Sequence, residues 1–138
     1  MASSFIRSED LGKLILRANI GGLLLFHGVS KLLHGIGWLP GLLAQHGIPG
    51  FVAYGVYLGE IVSPLLVLFG WKSRLGAVVI IVNMAMAVWL AHPADIGVLK
   101  PSGGWGVELD ALFFLGACAV ALFGSGTYSV SRGSGALD

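Results

Sequence analysis

Four stretches of the sequence approach the length of about 20 mainly apolar residues that a helix needs to cross the hydrocarbon of a bilayer. They run at residues 14–33, 51–69, 75–91 and 107–123. No other feature limits the fold so strongly. A segment in lipid must satisfy its backbone N–H and C=O groups internally, as a helix or within a closed barrel. Barrel strands are about ten residues long and alternate strictly between apolar and polar positions. The apolar runs here are continuous, which predicts α-helices.

Composition supports lipid rather than water as the surrounding solvent. Apolar residues make up 56% of the chain and charged residues 11%, against about 25% charged in an ordinary soluble domain. A chain of 138 residues has too much surface for its volume to hide that much hydrocarbon. We therefore expect one all-α domain over 1–138, an integral four-transmembrane-helix bundle that crosses the cell membrane several times. The net charge of +1 gives no basis for a nucleic-acid partner. A single cysteine, Cys118, excludes an internal disulfide and a CxxC redox pair; within an apolar run it reads as a small packing residue. Arg7, Lys13 and Arg17 could serve as the basic region of a cleaved leader. No small-x-small cleavage pattern follows them, so the first helix is expected to stay.

Helix stop and start signals separate the spans. Gly35, Gly37, Pro40, Gly41, Gly47 and Pro49 break the first connection. Within it, 40–46 is expected to form one short interfacial helix, with proline at its start and Gly47 after its end. Gly70 to Arg74 is a tight connection in which Ser73 is expected to cap the third helix. The polar tail, 125–138, is expected to fray. With four spans, Arg7, Lys13, Arg17, Lys72, Arg74 and Arg132 share one side, and Lys31 and Lys100 the other. The positive-inside rule then places both termini in the cytoplasm.

Glu60 stands alone near the middle of the second stretch. An acid at that depth costs about 3 kcal/mol to insert, so intramembrane ionisable groups point first to function. Pro64 cannot donate a hydrogen bond to the Glu60 carbonyl four residues earlier, which predicts a kink there. The alternative is a structural ion pair that fixes helix register. Partners are expected on the first helix, where His27, Lys31 and His34 are spaced four and three apart and share a face. Arg17, fourteen residues before Lys31, falls about 40° from the same stripe. For His34 and Lys31 the alternative is complementing the helix dipole and snorkelling outward. Asn83 matches the depth of Glu60 and is either interhelical glue or part of the same cavity.

Glu108 and Asp110 open the fourth helix, where carboxylates suit the positive dipole end. Their spacing of two turns them to different faces; one is expected to close over Lys31 or His92, the other to meet water. His34, His46, His92 and Glu108 show no spacing of a metal site, and no metal is expected. Gly55 and Gly59 form a GxxxG, and Gly21, Gly22 and Gly116 also permit close helix approach.

The order of these residues resembles a known family. Arg17 is followed by Phe26-His-Gly-Val-Ser-Lys31, then Gly47-Ile-Pro, the buried Glu60, Arg74, and Asn83-Met84. Gly103-Gly-Trp-Gly-Val-Glu108 precedes the last helix, and a Gly-x-Gly-x-Tyr-Ser motif begins the tail. The sequence is similar to the DoxX family of small four-helix membrane proteins, along nearly its whole length. That resemblance implies electron transfer to quinone, in oxidoreductase or oxidative-stress complexes of the bacterial inner membrane. It carries the family's polar positions onto Arg17, His27, Lys31, Glu60, Asn83 and Glu108.

The expected function is a quinone-interacting subunit of a membrane oxidoreductase. Glu60 and His27 are its expected catalytic groups; Lys31, Arg17, Asn83 and Glu108 are its expected quinone-binding groups. No covalently bound cofactor is expected, and no cofactor motif is present, so electrons would come from a redox partner subunit. A small transporter with a polar intramembrane path is the alternative, and a structural subunit the third. Short helices enclose a site poorly, which makes a homo-oligomer a further expectation.

Overall fold

The computed structural model describes residues 2–138, with side chains from Ser8 onward. Arg7, counted in the charge asymmetry, lies outside the described side chains. Among the described residues five main helices form, α1 Ala2–His34, α2 Leu39–Gln45, α3 Gly50–Phe69, α4 Ser73–Ala91 and α5 Glu108–Phe123, with a 3-10 turn at Pro93–Gly97. Among the described residues there is no strand, only an isolated bridge between Leu99 and Trp105.

By length and composition α3 and α4 can each cross a membrane, and α1 meets the same criterion together with α2, from which it is bent by 102°. At 16 residues, α5 is about 24 Å long, slightly short of the hydrocarbon thickness. α1 packs on α3 and α5, and α4 packs on the same two helices from the other side. Their shared core holds Leu24, Val67, Ala77, Ile80 and Val120, all 1% exposed or less. A second cluster of Ile36, Leu43, Ala53 and Leu90 seats α2 across the ends of α3 and α4. The side chains facing outward are mostly large and apolar, Phe26, Leu33, Phe69 and Leu122 among them.

α3 is irregular where Glu60 sits. It opens as a 3-10 turn over Gly50–Tyr54, becomes α-helical, widens to a π-helix over Leu58–Val62, and returns to α at Ser63–Phe69. The Ser63 N–H bonds the Leu58 carbonyl, five residues back. Pro64 explains the change. It has no N–H for the Glu60 carbonyl, and its ring crowds that position, so the helix widens by one residue rather than breaking. α3 ends at Gly70, whose left-handed φ of 72° lets Gly70 and Trp71 return hydrogen bonds to Val67 and Leu66.

Two expectations at the tail end are corrected. The segment after Gly124 does not fray; it straps across the ends of α1, α3 and α4. Val130 and Ser131 donate to the carbonyls of Phe69 and Gly70 at 3.0 and 3.1 Å, and the Arg74 N–H donates to the Leu137 carbonyl at 2.9 Å. Helix ends leave backbone groups unpaired, and the tail supplies the missing partners. Ser73 does not cap α4 either. Lys72 holds the N-cap position, the Ser73 N–H faces the Asp138 carboxylate at 3.4 Å, and Ser73 Oγ is buried without a partner.

Candidate functional site

Lys31 Nζ and Glu60 Oε2 lie 2.5 Å apart, joining the last turns of α1 to the π turn of α3. Glu60 is 5% exposed. Asn83 of α4 donates from Nδ2 to the other carboxylate oxygen, Oε1, over a long 3.4 Å. An acid in apolar surroundings is tolerated when it is paired and hydrogen-bonded, and here both oxygens have a partner. Lys31 carries three N–H donors and one is directed at Glu60, so its ammonium can serve a second acceptor. Tyr57 Oη donates to the Lys31 carbonyl at 3.3 Å, fastening that turn of α1 to α3.

Two glycines permit this convergence. A methyl on Gly28 would collide with the Glu60 carbonyl, so the bare α1 backbone lies against the π turn. A methyl on Gly59 would fall 2.5 Å from Asn83 Oδ1, so α4 reaches Glu60 only because position 59 is empty. Gly55, the other half of the GxxxG, meets nothing within 4 Å.

The cluster borders a cavity of about 700 Å³, within the range of small-molecule sites. His27, Lys31, Glu60 and Asn83 all line it, amid apolar walls from Leu42, Val56, Met86 and Leu90. The His27 ring meets Phe113 edge-on, with centroids 5.7 Å apart and planes at 82°. At the mouth stand Asp95, Lys100 and the pair His92 Nδ1 and Asp110 Oδ2, 3.3 Å apart.

Four of the six residues singled out from the sequence therefore meet at one place, and two do not. Arg17 lies fourteen residues from Lys31, about 21 Å along the helix. It is 1% exposed and donates to the carbonyls of Val67, Leu68 and Tyr128, at the tail end. Glu108 is exposed, beside Gly104, and it is Asp110 that turns toward His92. The signal for Asp110 was present: Asp110, Phe113, Ala117 and Val120 repeat at helical spacing, and the last three are buried. Tyr57 was missed because an aromatic in an apolar run reads as packing, although it precedes Glu60 by one turn. His34 bonds Ser30 and His46 packs on Trp89, so the histidines go to separate places.

Residues 12–93 match the family model described as DoxX. A Bacillus subtilis (strain 168) protein named "Putative oxidoreductase CatD" is 30% identical over 119 residues, covering 86% of this chain and 84% of its own length. No solved structure matches the chain.

Proposed function

The chain belongs to the DoxX family, and we propose that it is a quinone-interacting subunit of a membrane oxidoreductase. In this reading all four long helices span the cell membrane, with both termini in the cytoplasm. The basic residues Lys13, Arg17, Lys72, Arg74 and Arg132 lie toward that side. The name of the Bacillus subtilis relative supports a redox role.

One observation carries the reading: a carboxylate paired with an ammonium, 2.5 Å apart, lines a cavity whose inner walls are mainly apolar. A quinone presents the complementary chemistry. Its flat ring suits apolar walls, and its carbonyl oxygens need donors. Lys31 offers N–H donors and His27 a ring nitrogen, while Glu60 can pass a proton to an oxygen that gains charge. Reduction of one quinone to quinol takes two electrons and two protons. The electrons come from a partner redox subunit, and the protons pass through the cluster. Asn83 holds the second Glu60 oxygen and orients the carboxylate.

The test is binding of decylubiquinone and menadione to the purified protein in lipid nanodiscs. A measurable affinity that weakens about tenfold in Glu60→Gln and in His27→Ala is expected, the scale of one hydrogen bond to a charged group. Absence of binding together with solute flux lost in the same variants would replace this reading with a transporter. Loss of assembly with neither activity would leave a structural subunit.

A further inference from the structure

The Glu60 cluster communicates with one end of the molecule. At the loop end, made by α2 and residues 92–107, the cavity reaches His92, Asp95 and Lys100, all on its rim. Its floor is Leu24, Met84 and Phe113, at 1%, 4% and 5% exposure. Beneath them Val67, Ala77, Ile80, Ala117 and Val120 are each 0% exposed. Below that layer sits Arg17, with the tail strapped across it. A second hollow of about 290 Å³ at the tail end, lined by Lys13, Leu16 and Phe123, shares no residue with the cavity. Water enters a protein where there is room and two or more polar partners. The packed layer, in which Ser63 is a buried polar side chain at 1% exposure, offers no room, and the cavity above it offers room and several polar partners.

We infer that the Lys31–Glu60 site exchanges protons and solutes with the loop end alone, through a mouth narrowed by the His92–Asp110 pair. Titratable groups face this path from α1 (His27 and Lys31), α3 (Glu60), α5 (Asp110) and the loop (His92, Asp95 and Lys100), while α2 and α4 line it with uncharged side chains. The His92–Asp110 contact ties the end of α4 to the start of α5 across the opening. The access route rests on this geometry. Its consequence, that both protons of quinone reduction are drawn from the loop side, rests on the function proposed above.

Side-resolved cysteine labelling in proteoliposomes tests the route without any quinone, so its outcome is separate from that of the functional reading. In a Cys118→Ser background, Ser102→Cys marks the loop end and Ser134→Cys the tail end. Ala87→Cys and Val56→Cys probe opposite cavity walls, with a sulfonated, membrane-impermeant maleimide as reagent. Both wall cysteines are expected to label from the side that labels Ser102→Cys, and from that side only. Adding Asp110→Asn should speed their labelling about threefold, the scale of one hydrogen bond. Labelling from the Ser134→Cys side, from both sides, or at neither wall overturns the route. An unchanged rate in Asp110→Asn overturns the role of the pair.

Discussion

Lys31 reaches Glu60 across the α1–α3 interface, with 2.5 Å between Nζ and Oε2, at the π turn of α3. The π turn and the bare backbone of Gly28 serve this contact, and the empty position 59 admits Asn83 to the same carboxylate. Pro64 thus has an effect beyond a kink. It widens the helix around the acid that the neighbouring lysine neutralises.

The pair should behave as a coupled unit. Glu60→Gln or Lys31→Met alone leaves one partner uncompensated, and each is expected to lower thermal stability in detergent. Lys31 keeps 23% of its side chain exposed, which limits the cost of losing Glu60. The double variant should recover part of the loss, with a coupling of about 1–2 kcal/mol in a double-mutant cycle. Simple additivity would mean that the two groups do not interact.

The glycines separate by position rather than by motif. Gly28→Ala and Gly59→Ala drive a methyl into the Glu60 carbonyl and the Asn83 side chain, and overpacking of this kind costs about 1–3 kcal/mol. Gly55→Ala meets open space and should be neutral or slightly stabilising, since alanine favours helix by up to about 1 kcal/mol. Melting temperatures of the three variants check the order.

Arg17 and the tail should act together. Truncation after Gly124 removes the Tyr128 carbonyl from Arg17 and the N–H donors of Val130 and Ser131 from Phe69 and Gly70. Arg17→Met leaves the Val67 and Leu68 carbonyls without their buried donor. Each change should cost about 2–4 kcal/mol, given about 1.5–3 kcal/mol for a hydrogen bond to a charged group. Combining them should cost less than the sum. Quinone affinity in folded Arg17→Met protein should stay near that of the parent chain, because Arg17 is remote from the cavity.

Acid should loosen the tail. Hydrogen bonds from Thr127, by its side chain and by its N–H at 3.3 Å, hold the Asp10 carboxyl below the usual carboxylate range. Protonation is therefore easier in the undocked state. The contribution is complete above about pH 4 and is lost as pH falls through the lowered value. Proteolysis within 125–138 should rise at acid pH in the parent chain. In Asp10→Asn, cleavage should already be raised at neutral pH and change little with acid.

Most helical segments, their breaks and the burial of Glu60 were legible in the sequence because they depend on local rules, although α1 begins at Ala2 rather than at 14. Apolar run length, proline and glycine set the helices at 39–45, 73–91 and 108–123 within a residue or two of expectation. The spacing of His27 and Lys31 put them on one face, and the unpaired acid announced that it needed a cation. The tail misled for a physical reason: polar residues with no periodicity look unstructured until the helix ends they cap are brought together.

By itself, the sequence determined that this chain is helical and belongs in lipid, and that Glu60 lies deep in apolar surroundings, since hydropathy and backbone hydrogen bonding are properties of each segment. Which cation answers Glu60, that Arg17 serves the tail instead, and that Asp110 rather than Glu108 turns inward were decided only by the tertiary structure. Those outcomes depend on the rotation and approach of neighbouring helices, and Gly28, Gly59 and the Pro64-induced π turn set that approach through contacts far apart in the chain.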